Sequence, residues 1–356
     1  MSRIQPQMAN RVSSEATTEF RAKMDELLVA VDEHLALDAE FHCAGIDCDQ
    51  LGLSRHVNHE FGRLLAAVYE FGIFDRLTDE SRWFVSMLTR HGFAPGYFGR
   101  MLEAWSAAVM SNIRLSYARE LTAPLDSLRG SLGLLIEGKR PEPTLSAEAK
   151  GLLDRLRARR RREAAESVLA LARAGRTLEQ VVDDVVLPAM RQLGFLWETG
   201  IVSVAEEHAA TEICRYMLYR LFDSIEPAKP VGLKALASCV PGEEHEMGVE
   251  IVGEYLRLKG WEVFSVGRST PLEDMLKALA DFRPQVAFFS ATLVANLPAA
   301  RGLVNEAQKT LPGLGVVLGG AAAVAAAEVL AGPRLRVAAH FAEAASMGAA
   351  LAEPNA

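Results

Sequence analysis

Cysteine is scarce in this chain. Its 356 residues hold four, at Cys43, Cys48, Cys214 and Cys239, too few and too scattered for a disulfide framework. Cys43 and Cys48 bracket AGID beside His42, but a metal site would need more ligands nearby, so two ordinary thiols are expected. No stretch reaches the roughly 18 uninterrupted apolar residues of a membrane-spanning helix. The N-terminal MSRIQPQMANRVSSE has no apolar core of the secretory kind, so a cytoplasmic protein off the membrane is expected. An excess of basic charge is also missing. The formal charge is −8, which leaves no overall electrostatic footprint for nucleic acid. What remains is half apolar and about a quarter charged, an ordinary globular composition long enough for two or three cores.

Three segments follow from periodicity, over 1–140, 146–225 and 230–356. The first reads as helices almost throughout, in FRAKMDELLVAVDEHL, HEFGRLLAAVYEFG, DESRWFVSMLTRHG and the long pattern after Pro95-Gly96. Turn signals at Gly45, Gly52, Gly72 and Thr78-Asp79-Glu80 separate them, with Asp79 and Ser81 as caps for the helix carrying Trp83. The joint IEGKRPEPTLS marks a boundary. The second segment is a compact helical bundle: Gly175 closes one helix, Thr177 caps the next, and Pro188 should kink it. Six arginines between Arg155 and Arg162 read as a solvated face or a docking surface, with nucleic-acid contact the less favoured use.

After EPAKP, short apolar runs (VGLKALASCV, WEVFSVG, QVAFFSATL, LGVVLGG, LRVAAHF) alternate with helical patterns. That alternation calls for a parallel sheet covered on both faces. Ligands of such folds gather at the carboxyl ends of the strands. Glu243, His245, Ser290 and Gly319-Gly320 all fall there. A histidine with an acid two residues away is the sequence form of a metal ligand and its orienting partner, or else of an acid-rich first helical turn.

The last segment resembles the cobalamin-binding flavodoxin-like domain, whose fingerprint is Asp-x-His-x-x-Gly, then Ser-x-Leu, then Gly-Gly. Here Glu243-Glu-His245-Glu-Met-Gly248, Ser290-Ala-Thr292 and Gly319-Gly320 stand at the family's spacing. The resemblance implies that His245 replaces the cofactor's own base beneath cobalt, with Glu243 orienting the ring. It also implies that the displaced nucleotide tail threads past Ser290, Thr292 and the glycines. Imidazole suits cobalt, and glycine lets backbone approach a flat tail. Glu243 stands where Asp is usual, and Thr292 where Leu is usual.

In the bundle, Trp197, Glu207 and His208 fit Trp-x9-Glu-His, similar to the cap of CarH-type light-responsive cobalamin proteins. There the indole and the acid-His pair enclose the 5′-deoxyadenosyl group of adenosylcobalamin. A Trp plugging the bundle core, with the pair capping a helix, is the structural alternative. In several CarH-type proteins a histidine follows the Trp; here it is Glu198, so a bis-histidine light state using that position is excluded, and His208 or water is left as the upper ligand. The resemblance implies a non-catalytic photoreceptor in which light breaks the cobalt–carbon bond and the cap repacks, changing self-association or contact with a downstream signalling protein. A homo-oligomer is expected. The competing reading is a corrinoid carrier for a separate methyltransferase.

The first segment lacks a compact helix-turn-helix with a basic wing, so DNA binding is not expected of it. In size, helicity and arrangement it is similar to the globin-like sensor domain of the photocobilin group, which holds a linear tetrapyrrole such as biliverdin. His56, His59 and His91, with Arg55, are its candidate polar contacts. Phe61, Trp83, Tyr97 and Trp105 are among the aromatic residues that line a flat pocket or simply fill a core.

Overall fold

The computed structural model describes residues 12–37, 48–94, 96–137 and 144–353. Cys43 and His42, and most of the joint after Glu137, lie outside them. The chain divides into two compact units, Met1–Arg140 and Pro141–Ala356.

The first unit is helical, as its periodicity requires: Ser14–Ala22, Met24–Leu37, Cys48–Phe71, Phe74–Arg90, Tyr97–Asn112, Leu115–Gly130 and Leu132–Glu137. Its core is aromatic at the centre. Phe61 meets Phe84 and Phe98 edge-on at 5.3 and 5.6 Å, and Trp105 is fully buried beside Phe20 and Phe61. Gly72 closes the third helix at φ +67°, as expected. Two expected boundaries are corrected. Gly52 lies inside the helix Cys48–Phe71. The helix carrying Trp83 starts at Phe74 rather than near residue 80, because buried Phe74 and Leu77 extend its apolar face by a turn and a half. Ser81 is therefore buried in mid-helix, and Asp79 pairs with Arg82 at 2.6 Å instead of capping.

The second unit opens with four helical stretches: Ala147–Arg157, Arg161–Arg173, a rod over 178–198, and Val204–Phe222. Side chains close their starts. Ser146 accepts from the Ala149 N–H, Thr177 forms a capping box with Gln180, and Ser203 forms one with Glu206. Gly175 ends its helix at φ +90°. At Pro188, where a kink is expected, the hydrogen-bond ladder changes form. A π-turn, Val182–Val186, precedes the proline, and the Leu187 N–H reaches back to the Val182 carbonyl. The wider turn accommodates the missing donor at the next residue.

Five parallel strands follow: β1 (Lys234–Cys239), β2 (Glu262–Gly267), β3 (Val286–Ser290), β4 (Gly315–Gly319) and β5 (Leu335–Val337), in the order β2-β1-β3-β4-β5. This is the flavodoxin-like order, with its reversal between β1 and β3. Helices Met247–Leu258 and Phe341–Ala352 pack together over one face; Leu272–Phe282 and Leu297–Thr310 pack together over the other. β1, β3 and β4 are buried nearly end to end, which is why they read as unbroken apolar runs. The bundle shares its core with the sheet's cover: Leu156, Val185, Leu193 and Met217 cluster with Ile251, Tyr255 and Phe341. Tyr255 also donates to Glu179 at 2.5 Å.

Candidate functional site

The register of the sheet brings the sequence motifs together. Cys239, Ser290 and Gly319 are aligned neighbours across β1, β3 and β4. Each motif therefore leaves the sheet at the same level, at the carboxyl edge beside the strand-order reversal.

From β1 the chain turns through Gly242, at φ +81°, and delivers Glu243 inward. This carboxylate is fully buried and makes five hydrogen bonds. Oε1 accepts from the His245 backbone N–H at 3.1 Å and lies 2.5 Å from His245 Nδ1. Oε2 accepts from the N–H groups of Thr292 and Leu293 at 2.8 and 3.0 Å and from Asn296 Nδ2 at 3.1 Å. Burial alone would push its pKa up. The His245 hydrogen bond, the Leu293 N–H, the charge of His245 and Asn296 outweigh it and hold the carboxyl at about 2. The same hydrogen bond is the main reason that His245 is raised above its ordinary value, against desolvation that lowers it.

His245 is thus fixed in ring orientation and tautomer, with Nδ1 the protonated nitrogen facing the acid and Nε2 the acceptor. Its side chain is 55% exposed, and Nε2 has no hydrogen-bond partner among the described residues. The flanking acids are held elsewhere. Glu244 takes Arg268 at 2.9 Å, and Glu246 takes Arg215 at 2.7 Å. Of three carboxylates beside the histidine, one alone contacts the ring.

The glycines divide by what surrounds them. A side chain on Gly248, exposed at the start of the helix Met247–Leu258, would meet nothing within 4 Å, and one on Gly319 only the Ala338 carbonyl at 3.9 Å. At Gly320, with φ +96°, a Cβ would lie 2.4 Å from the Ala291 carbonyl oxygen. Gly320 is required by the fold itself; Gly248 and Gly319 leave open space. Ser290 is buried at the end of β3, and its carbonyl accepts from the Val240 N–H. Thr292 is half-buried and contributes its backbone to Glu243.

In the bundle, Trp197 is half-buried at the end of the rod, whereas Leu193 and Leu196 occupy the core. The indole is therefore not the core plug considered as an alternative. Glu207 and His208 stand on the first turn of Val204–Phe222. Glu207 Oε1 accepts from the Thr211 hydroxyl at 2.6 Å, and Oε2 lies 3.7 Å from His208 Nε2. Ile201 and Val204, between Trp197 and Glu207, are exposed apolar residues. The charge of Glu207 acts on His245, so bundle and sheet residues share one electrostatic neighbourhood.

Asn296, Leu293, Arg215 and Arg268 escaped the sequence reading. Asn296 precedes Leu297-Pro298 at a helix start and has the form of an ordinary cap. Instead it makes no capping bond and turns its amide onto Gly242 and Glu243. In the first unit His56, His59 and His91 are all exposed, and no hydrogen bond joins any two of them. His59 approaches Glu60 at 3.3 Å. The aromatic residues around them build the core.

A family model described as a B12 binding domain matches residues 233–352, and a second of the same description matches residues 148–221. The chain is 31% identical over 143 residues to the HTH-type transcriptional repressor CarA of Myxococcus xanthus, covering 40% of this chain and 48% of that protein. It is 34% identical over 146 residues to the repressor CarH of the same organism, covering 40% and 47%. It is also 26% identical over 137 residues to dimethylamine corrinoid protein 3 of Methanosarcina acetivorans, covering 38% and 63%. The second unit carries a CarH-type cobalamin-binding module. The chain spans about half the length of the two repressors it matches. Within the module, the sheet carries the fingerprint around His245 and the bundle carries the Trp197, Glu207 and His208 set.

Proposed function

We propose that this protein is a non-catalytic light sensor that holds adenosylcobalamin base-off, with His245 Nε2 beneath the cobalt. The observation that carries this reading is the buried Glu243–His245 pair. Five hydrogen bonds fix one buried carboxylate. One of them orients the imidazole and leaves its second nitrogen open, and Arg268 and Arg215 hold the neighbouring acids off the ring. Among the described residues no group of three or more His, Cys, Asp or Glu is placed to hold a metal. One nitrogen donor suits an ion already held by a macrocycle. Gly248 and Gly319 leave room for a bulky tetrapyrrole and its nucleotide tail, with Ser290 and Thr292 beside the tail.

When bound, adenosylcobalamin supplies a cobalt–carbon bond that visible light breaks. Trp197 and Glu207 would hold the upper group, the indole as an apolar wall and the carboxylate as an acceptor, with His208 beside them. A cap that prefers one arrangement while it holds this group and another after losing it is a two-state element biased by a ligand. The expected readout is self-association or contact with a downstream partner in the cytoplasm. Glu198 offers no imidazole, so the position after Trp197 cannot supply a light-state nitrogen ligand. DNA binding, which the names of the two repressors state for those proteins, is not part of this proposal.

The second reading, a corrinoid carrier, is favoured by the match to the dimethylamine corrinoid protein. Purified protein loaded with adenosylcobalamin in the dark and then exposed to green light separates the two. A changed spectrum with a changed oligomer size or partner affinity supports the sensor; an unchanged assembly with transfer of a methyl group from methylcobalamin to an acceptor enzyme supports the carrier. The bilin expected for the first unit draws no support from three exposed histidines. Titration with biliverdin decides it, since a red-shifted absorbance co-eluting with the protein would reinstate it.

A further inference from the structure

The arginine run of the bundle has no role in the proposed cobalamin site. It forms the turn between the helices Ala147–Arg157 and Arg161–Arg173. Arg157, Arg159, Arg160, Arg161 and Arg162 are all exposed there. Two have weak internal uses. Arg160 lies 3.5 Å from Glu163, with both side chains about 60% exposed, and Arg161 stacks on the Tyr216 ring at 3.7 Å. The side chains of Arg157, Arg159 and Arg162 make no hydrogen bond or ion pair among the described residues.

Local stability does not explain the run. Arg159 holds a left-handed conformation, φ +58°, at a helix end where glycine is the unstrained choice. The next helix of the same bundle ends with glycine, at Gly175. Arg161 and Arg162 open a helix, where the dipole disfavours positive charge. A hollow of about 290 Å³ adjoins the turn, lined by Asp154, Arg157, Ala158, Val202 and Glu206. Charge kept against local preference beside a concave surface marks a recognition site.

We propose that this turn docks an acidic segment of a partner protein, with carboxylates paired to Arg157, Arg159 and Arg162. Guanidinium is suited to bidentate carboxylate recognition. The patch is one turn wide, with Asp154 and Glu206 lining the adjoining hollow and Glu163 beside Arg160. A short acidic stretch fits such a patch. A duplex, with a charge every ~1.7 Å of axis, would run its phosphates past those acids. Val202 and Glu206 belong to the connection between Trp197 and Glu207, so the partner would rest against the cap; that link alone depends on the sensor reading.

The test uses the full chain and fluorescence anisotropy with a fluorescein-labelled octaglutamate peptide at low salt. Saturable binding is expected, weakened at least tenfold by the triple variant R157E/R159E/R162E and by raised salt, and largely retained by R157K/R159K/R162K. Circular dichroism of each variant, expected to be unchanged, reports folding independently. No peptide binding, or binding indifferent to the charge reversal, overturns the proposal. So does tighter binding of a labelled 20-base-pair duplex through the same arginines, which would make the partner a nucleic acid. Loss of a self-associated form on reversal would make the occupant a second copy and overturn it as well. None of these arms requires the cofactor, so failure here leaves the cobalamin reading standing, and absence of cobalamin binding leaves this one standing.

Discussion

Glu243 and His245 lie two residues apart in sequence and 2.5 Å apart in space, Oε1 to Nδ1, yet their environments are opposite. The carboxylate is fully buried and the imidazole is 55% exposed. The acid belongs to the fold and the ring to whatever arrives. Several expected outcomes rest on that division.

Replacing Glu243 by Gln keeps the size of the side chain but removes the charge that sets the tautomer and basicity of His245. Affinity for adenosylcobalamin should fall about 10–100-fold, measured by spectral titration in the dark. His245→Ala should leave the cofactor base-on or weakly held. An unchanged visible spectrum and affinity in that variant would remove His245 from the metal.

Acid should unfold the ligand-free protein partly through the same pair. The Glu243 pKa falls from 4.5 to about 2 on folding, so its contribution is present above about pH 4.5 and lost as pH drops toward 2. The upper bound is about 3 kcal/mol. His245, raised above 6.5, acts in the other direction: its contribution is complete below 6.5 and fades as pH rises through the folded value. The pair should therefore stabilise the fold most at about pH 5 to 6. Urea denaturation of wild type and Glu243→Gln across pH 2–8 should show their difference shrinking toward the acid end.

The glycines should separate fold from ligand space. Gly320→Ala forces a Cβ against the Ala291 backbone at a left-handed residue and should cost about 2–4 kcal/mol in thermal or urea unfolding. Gly319→Ala and Gly248→Ala each place a Cβ that meets almost nothing in the ligand-free protein. They should change its stability by less than about 1 kcal/mol while reducing cobalamin affinity. Equal stability losses at all three positions would contradict this division.

Arg215 joins the bundle to the helix after His245 through Glu246 at 2.7 Å and Glu250 at 3.1 Å. Arg215→Met should destabilise the second unit by about 1–3 kcal/mol, because two partly buried carboxylates lose their shared cation. Burial already pushes the Glu250 carboxyl up, more than Arg215 lowers it. The loss should therefore shrink as pH falls and that group protonates. Denaturation at pH 5 and pH 8 checks the trend.

The parallel sheet and the bundle were legible because their signals are short-range: strand runs buried on both faces, a helix cap at Thr177, and a glycine stop at Gly175. The three motifs of the sheet were legible because parallel register places the ends of β1, β3 and β4 level. What escaped depends on tertiary context. Ser81 has the composition of a cap, but buried Phe74 and Leu77 carry the helix past it. Asn296 also resembles a cap and serves the carboxylate instead. Nothing in one sequence distinguishes a polar side chain serving its own helix from one turned toward a residue fifty positions away.

Glu243 ties the loop after β1 to the backbone after β3, across the point where the strand order reverses. The floor of the crevice is consequently braced before any ligand enters, and arrival there requires little ordering of the chain. Exchange between corrinoids should then be governed by how long each stays rather than how fast it enters, so floor substitutions should shorten residence time and leave association rates nearly constant.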